Sequence, residues 1–235
     1  LPAGGFIVAI FEQIERKSSR NRVYDQIRDA IFSGKLMPGE RLTETKLSTD
    51  FDVSRVVIRE ALQQLAYDGL VVQNSYKGTN VVKLSSDEVN DLLSVRILLE
   101  SEAVRSAKER LTESDKKMLA AMVKELDSID DPFRHTALDF EFHQKLWELS
   151  GNQSLKRVLT YLTSPFFAMA VIVRQSRKFD PYLKKAKIGK HSKLIDALVR
   201  GSTDEAVHAI REHIEQNRKN IGESFDQFLE TGQVT

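Results

Sequence analysis

Every convincing strand pattern in this 235-residue chain falls before Leu84, and everything after that point reads as helix. Ahead of the seam, Val23, Ile27, Ala30 and Ile31 share one face of a predicted helix over Arg22–Ser33, which Gly34 ends. Lys35–Glu40 contains Pro38-Gly39 and is a turn. A short helix is predicted from Glu44 to Asp50, and Ser54 caps another running to Tyr67 before Asp68-Gly69. Leu70–Gln73 and Thr79–Lys83 are apolar or β-branched runs joined by Asn74–Gly78, which predicts a hairpin. Past the seam, Ser85-Ser86-Asp87-Glu88 fits a capping box that opens a helix to about Arg110. Further helices are expected over Glu113–Ile129, Pro132–Ser150, Ser154–Lys178, Pro181–Arg200 and Thr203–Leu229, with Pro165 kinking the fourth of the six. Gly201 and Ser202-x-x-Glu205 supply a stop and a second capping box.

The pattern predicts a mainly α protein. A winged helix-turn-helix with a small β-hairpin over 22–84 precedes an all-α bundle of about six helices over 85–230. Residues 1–21 are read as an N-terminal extension or a cloning remnant.

Composition narrows the chemistry. Lys plus Arg is 35 and Asp plus Glu is 34, which excludes a chain that coats nucleic acid by bulk charge. The charge is nearly even along the chain, +2 over residues 1–85 and −1 over the rest. The absence of cysteine excludes disulfides, thiolate metal sites and a cysteine nucleophile. No apolar run approaches the ~18 residues that span a bilayer, and nothing basic precedes the apolar Phe6–Phe11. A cytoplasmic protein with no membrane partner is expected.

On the helix after Ser54, Ile58, Leu62 and Leu65 form the stripe that faces a core, while Arg55, Val56, Arg59 and Gln63 face outward. Arg55 and Arg59 repel one another at i, i+4 and oppose the helix dipole, and both penalties turn to advantage when a polyanion approaches. Major-groove readers present the start of the second helix of the motif in this way. The bland alternative has the arginines on a solvated face, paired with Asp52 or Glu60.

The blocks Gly34–Leu42, Val53-Ser54-Arg55, Arg59-Glu60-Ala61-Leu62 and Asp68-Gly69-Leu70 resemble the N-terminal domain of GntR-type bacterial transcription regulators, over about Arg22–Lys83. The resemblance implies double-stranded operator DNA as partner. It implies that Arg55 and Arg59 read base edges, that Gly78, beside Lys77, lies at the wing tip, and that Thr45 and Val56 occupy DNA-facing positions. Val56-Val57 stands where Thr-Pro is common, Asp52 where Gly is common, and Thr45 where an arginine often contacts DNA.

All five histidines follow the seam. Asp139 and His143 are i, i+4 on one helix and can chelate one ion, and His191 and His213 fall on two later helices. One carboxylate and three imidazoles suit a divalent metal ion, Zn as first choice with Ni or Mn as alternatives. His135, one turn from Asp139, is a rival ligand, and His208 is off the face that holds His213. Arg96 falls on the interior stripe Val89, Leu92, Leu99, Ala103, where its partner is either Glu100 or the carboxylate of a bound ligand. Phe140, Phe142, Trp147, Phe166 and Phe167 are expected in the core.

Leu138–His143 continuing to Leu149-Ser150-Gly151-Asn152, with Val95-Arg96, Leu99-Glu100, His191 and Ala206–His213, resembles the FCD domain of the fatty-acid-regulator branch of that family, over about Ser86–Leu229. Lys190 departs from the acidic residue common before that histidine. The resemblance implies a metal held by Asp139, His143, His191 and His213, and a small organic carboxylate as effector completing its coordination.

The combined expectation is a homodimeric, metal-containing transcription regulator, not an enzyme, which senses a carboxylate and relays the signal through the seam at Leu84–Ser86. The rivals are a metal-dependent hydrolase-like enzyme and a DNA-binding protein whose metal is purely structural.

Overall fold

Val23, Ile27 and Ile31 recur every fourth residue, and the helix they specify turns that face onto another helical face, Ile58, Leu62 and Leu65, spaced four and then three apart. The computed structural model describes residues 19–74, 78–178 and 191–231. In it these faces belong to α1 (Ser19–Phe32) and α3 (Arg55–Tyr67), which pack together. Between them lie the two-residue strand β1 (Arg41–Leu42) and α2 (Glu44–Phe51). The Ser54 hydroxyl caps α3 by accepting the Val57 N–H, as its sequence position predicts. Asp52, at the end of α2, takes a left-handed φ of 50°, which explains why glycine is favoured there. Aspartate tolerates this region better than most residues.

The wing differs from the expected hairpin. β2 (Val71–Asn74) and β3 (Gly78–Val81) pair antiparallel, but β1 joins the other edge of β3 and gives a three-stranded sheet in the order β1-β3-β2. Arg41 is opposite Asn80 and Leu42 opposite Thr79. Two residues cannot show an alternating pattern, so only the pairing partner makes this segment a strand.

Six helices follow among the described residues: α4 (Ser86–Lys108), α5 (Glu113–Leu126), α6 (Pro132–Leu149), α7 (Gln153–Lys178), α8 (Ser192–Arg200) and α9 (Thr203–Thr231). The Ser85/Glu88 capping box opens α4, and the reciprocal pair Ser202/Glu205 opens α9. A third box, Thr112/Asp115, starts α5, which stops at Leu126 rather than Ile129. The predicted helix over Pro181–Arg200 is described only from Ser192; its first part, Lys190 and Lys77 lie outside the described residues. The helix α7 runs on through Pro165, whose missing N–H leaves the Tyr161 carbonyl without its helical donor.

Helix α4 packs along α9 and against α6 and α7, while α8 packs on α9 and α5. A single cluster of buried apolar side chains runs from Val23 and Leu62 through Phe166 and Met169 to Ile210 and Ile214. The winged unit and the bundle therefore share a core. No helix among the described residues is long and apolar enough to cross a membrane.

Candidate functional site

Two surfaces of the molecule can do chemistry. On the first, α3 exposes Arg55, Val56, Arg59 and Gln63, and buries Ile58, Ala61, Leu62 and Leu65. Thr45 is exposed on α2, and Gly78 begins β3 with a left-handed φ of 82°. The partner of Arg59 is neither Asp52 nor Glu60. It is Glu44, fifteen residues away, which accepts from Nε at 3.0 Å and from a terminal nitrogen at 2.8 Å. The hydrogen bond from Arg59 holds the Glu44 carboxyl below its ordinary value. This pair is exposed, so an incoming phosphate or base can replace it at small cost. Arg41, on the strand that the sequence reading missed, brings its guanidinium nitrogens to 3.6 Å of the Cβ position of Gly78, beside the wing turn.

The second surface is interior. Helix α6 carries Asp139 and His143 one turn apart, His191 is the residue that precedes α8, and His213 lies on α9. One ligand atom from each can be chosen so that all lie within 4.8 Å of one another, and all four residues are buried. His191 Nε2 is 2.9 Å from Asp139 Oδ1, and His143 Nε2 is 3.6 Å from it. The structure thus brings together the four residues that spacing suggested. It leaves out half-buried His135 and places His208 on the surface, 3.4 Å from Glu212. His191 is the N-cap residue of α8.

Around this cluster the fully buried Glu100 divides its two oxygens. Oε1 accepts from Arg96 Nε, and Oε2 lies 2.8 Å from His143 Nδ1. Of the two partners expected for Arg96, the structure shows Glu100. Its Nε is committed to Glu100, while Nη1 and Nη2 are buried with no hydrogen-bond partner. Burial opposes the charge on Glu100, but Arg96 and His143 outweigh it and hold the carboxyl far below the usual range. With its proton on Nδ1, facing Glu100, His143 would turn the Nε2 lone pair toward Asp139, the arrangement common to metal-binding imidazoles.

His143 Nε2, His191 Nε2 and His213 Nδ1 are likewise buried without a hydrogen-bond partner. Burial pushes His143 below its ordinary value despite Glu100. Burial pushes His213 well below, with His191 and His143 adding to the effect. Buried ring nitrogens without hydrogen bonds, gathered around a carboxylate, are a donor set that a divalent cation can use. The donor set fits such an ion. Asn217, one turn beyond His213 and 3.3 Å from its Nε2, has a buried Oδ1 that also lacks a partner. Only the one-turn spacing on α9 could have drawn attention to it.

Phe142, Trp147, Phe166 and Phe167 are buried, as expected, whereas Phe140 is half-buried. The Arg96 guanidinium lies 5.5 Å from the Phe166 ring centre and 4.9 Å from that of Phe167.

A winged reading head sharing a core with a helical bundle that encloses a polar ligand cluster defines a ligand-responsive DNA-binding transcription regulator. The chain matches the FCD domain over residues 91–216 and the bacterial regulatory proteins of the gntR family over residues 19–81, and it belongs to that family. It is 33% identical over 146 residues to the uncharacterized HTH-type transcriptional regulator YdhC of Bacillus subtilis, covering 59% of this chain and 64% of that one. It is 29% identical over 205 residues to the HTH-type transcriptional regulator LutR of the same organism, covering 78% and 92%. The structure of E. coli McbR/YncC shares the fold, with a TM-score of 0.72 at 20% identity over 91% of this chain and all of that one. The two Bacillus subtilis relatives are transcription regulators, and the enzyme alternative falls with that finding and the family match.

Proposed function

We propose that this regulator is a metal-dependent sensor of small organic carboxylates whose occupancy changes its affinity for operator DNA. One observation carries the reading: three imidazole nitrogens and both terminal nitrogens of Arg96 are buried with no hydrogen bond, the imidazoles clustered around Asp139. Leaving that many polar atoms unsatisfied costs about 1–3 kcal/mol each, which a bound cation and anion would recover. Asp139, His143, His191 and His213 would hold one divalent ion, Zn first, with Ni or Mn also suited to nitrogen and oxygen donors. Such an ion supplies open coordination positions for a carboxylate oxygen. Arg96 supplies two parallel N–H groups that match the rest of the carboxylate and select acids over alcohols.

We assign DNA reading to Arg55, Val56 and Arg59, exposed on α3, with exposed Thr45 on α2 and Gly78 and Lys77 of the wing as further DNA contacts. We assign DNA reading to residues 22–84 and sensing and dimerisation to 85–230, in a homodimer whose two-fold axis matches a palindromic operator in the cytoplasm.

The test is elemental analysis and mass spectrometry of the purified protein, followed by calorimetric titration of a carboxylate series into metal-loaded and metal-free samples. One divalent ion per chain and metal-dependent acid binding support the reading. Equal acid binding without metal refutes it, and a metal whose occupancy alters neither ligand nor DNA binding assigns it a structural role.

A further inference from the structure

A signal from the buried cluster must cross from the bundle to α3, and the structure shows several contacts on that boundary. The Leu84 N–H donates to the Met169 sulfur at 3.3 Å. Gly69 lies against the Tyr161 backbone carbonyl. Phe32, the last residue of α1, stacks on Phe140 of α6 with ring centres 5.7 Å apart and planes at 23°. The aromatic contact leads directly into the cluster. Phe140 follows Asp139 in sequence and meets Phe167 at 4.8 Å. Phe167 in turn lies 4.9 Å from the Arg96 guanidinium and 5.8 Å from the His143 ring.

We infer that the stack Phe167–Phe140–Phe32 is the route by which occupancy of the cluster reaches the DNA-reading helix. The inference rests on the metal and carboxylate reading above and departs from the covalent seam at Leu84–Ser86 as the relay. A guanidinium held over ring faces is attracted by them. A carboxylate that engages Nη1 and Nη2 competes for the same charge and draws it away from Phe167. Closely packed rings do not slide continuously; they exchange between discrete packings.

Phe140 has room to do so. On the side away from the cluster, a cavity of about 400 Å³ opens between α1 and the helices α6 and α7, lined by Tyr24, Phe32, Phe133, Phe140, Lys156 and Thr160. The cavity gives the Phe140 ring room to repack, and Phe32, stacked on Phe140 and lining the same cavity, must repack with it. Phe32 ends the helix that packs on α3, so its displacement tilts the helix bearing Arg55 and Arg59.

Adjacency alone does not establish coupling, so the test measures it. Amide hydrogen exchange is followed across α1 and α3 in the full chain, without ligand, with Zn²⁺ alone and with Zn²⁺ plus acetate. Zinc occupancy is read independently from the fluorescence of Trp147, the single tryptophan, whose ring centre is 6.2 Å from that of His143. The expected wild-type result is a change of about 5-fold or more in the exchange of α1 amides. Phe140→Leu and Phe32→Leu should bind Zn²⁺ within about twofold of wild type yet lose the α1 response. Phe140 is half-buried beside the cavity, so its leucine variant keeps the fold if Phe32→Leu does not. Met169→Leu, on the seam contact, should keep the response.

Wild-type amides that respond in α6 and α9 but not in α1 overturn the route while leaving the metal site intact. Retention of the response in both leucine variants, or its loss in Met169→Leu alone, overturns it as well. Absence of zinc binding in the wild type removes the metal reading and the route together.

Discussion

Substituting Gly69 by alanine measures how tightly the winged unit sits on the bundle. Gly69 has φ +75°, and a Cβ built on it would lie 2.4 Å from the Tyr161 backbone oxygen and 3.4 Å from its carbonyl carbon. That oxygen belongs to the turn of α7 that Pro165 leaves short of a donor, and backbone cannot rotate away as a side chain can. Gly39 provides a matched control. It has φ +83°, but its nearest neighbour is the flexible Lys83 side chain at 3.8 Å.

Placing alanine in the left-handed region costs about 1–2 kcal/mol. Restricting the unfolded chain returns about 0.4–1 kcal/mol. Gly39→Ala should therefore destabilise by a net of about 0–1.6 kcal/mol. Gly69→Ala carries the same backbone cost plus about 1–3 kcal/mol for overpacking a closed interface. Its total should fall near 2–4 kcal/mol by the same accounting. The assay is urea unfolding of both variants, monitored by far-ultraviolet circular dichroism and by Trp147 fluorescence. Equal destabilisation by the two substitutions would refute the reasoning, because it would mean that Tyr161 does not press on Gly69 in solution.

Arg55→Ala and Arg59→Ala should each weaken specific operator binding by about tenfold or more if they contact bases, measured by fluorescence anisotropy. Glu44→Gln should tighten DNA binding and steepen its salt dependence, since it frees Arg59 and removes a negative charge from the same face; weaker binding would count against the assignment. Glu100→Gln should lower metal affinity about 10–100-fold, because a carboxamide cannot replace the charged partner of His143 Nδ1; chelator competition checks this, and unchanged affinity removes the orienting role. His143 and His213 titrate below the ordinary imidazole value in the fold, so the unfolded chain takes up their protons first. The stability they contribute is full above about pH 6.5 and is lost as pH falls below it, and Zn²⁺ should shift that loss lower. Thermal unfolding of the metal-free protein that is flat from about pH 7 to about pH 5 would contradict this.

What was legible in the sequence was local. Ser54, Ser85 with Glu88, and Ser202 with Glu205 announce helix starts because a side chain and a backbone N–H three residues away satisfy one another. Asp139 and His143 could be paired because one helical turn places both on one side, and their later partners could be proposed because only five histidines exist. What escaped depends on contacts distant in sequence. β1 is a strand only because Asn80 and Thr79 lie beside it, and Arg59 meets Glu44 only because α2 and α3 cross. The capping box at Thr112 uses aspartate in place of glutamate and hid for that reason. Phe140 reads as a core residue by hydrophobicity, and nothing in its spacing shows that its ring spans two units of the fold.

The buried charges give the proposed pairing of metal and acid an electrostatic reason. Arg96 is cationic, its neighbour Glu100 is ionised, Asp139 contributes a second carboxylate, and the imidazoles must be neutral to ligate. The pocket protein groups therefore carry one net negative charge, enclosed by side chains with almost no exposure to water. A carboxylate entering that pocket alone would double the imbalance, and Arg96 cannot offset it because Glu100 already neutralises its charge. A divalent cation reverses the sign and leaves one positive charge, which is costly to bury unpaired. One carboxylate then brings the enclosed charge to zero and gives Nη1 and Nη2 of Arg96 their acceptors. An alcohol or amide of the same shape fills the space but leaves the charge. On the proposed reading, metal first and acid second is the order that buried electrostatics favour, and the response to acid would be conditional on the ion.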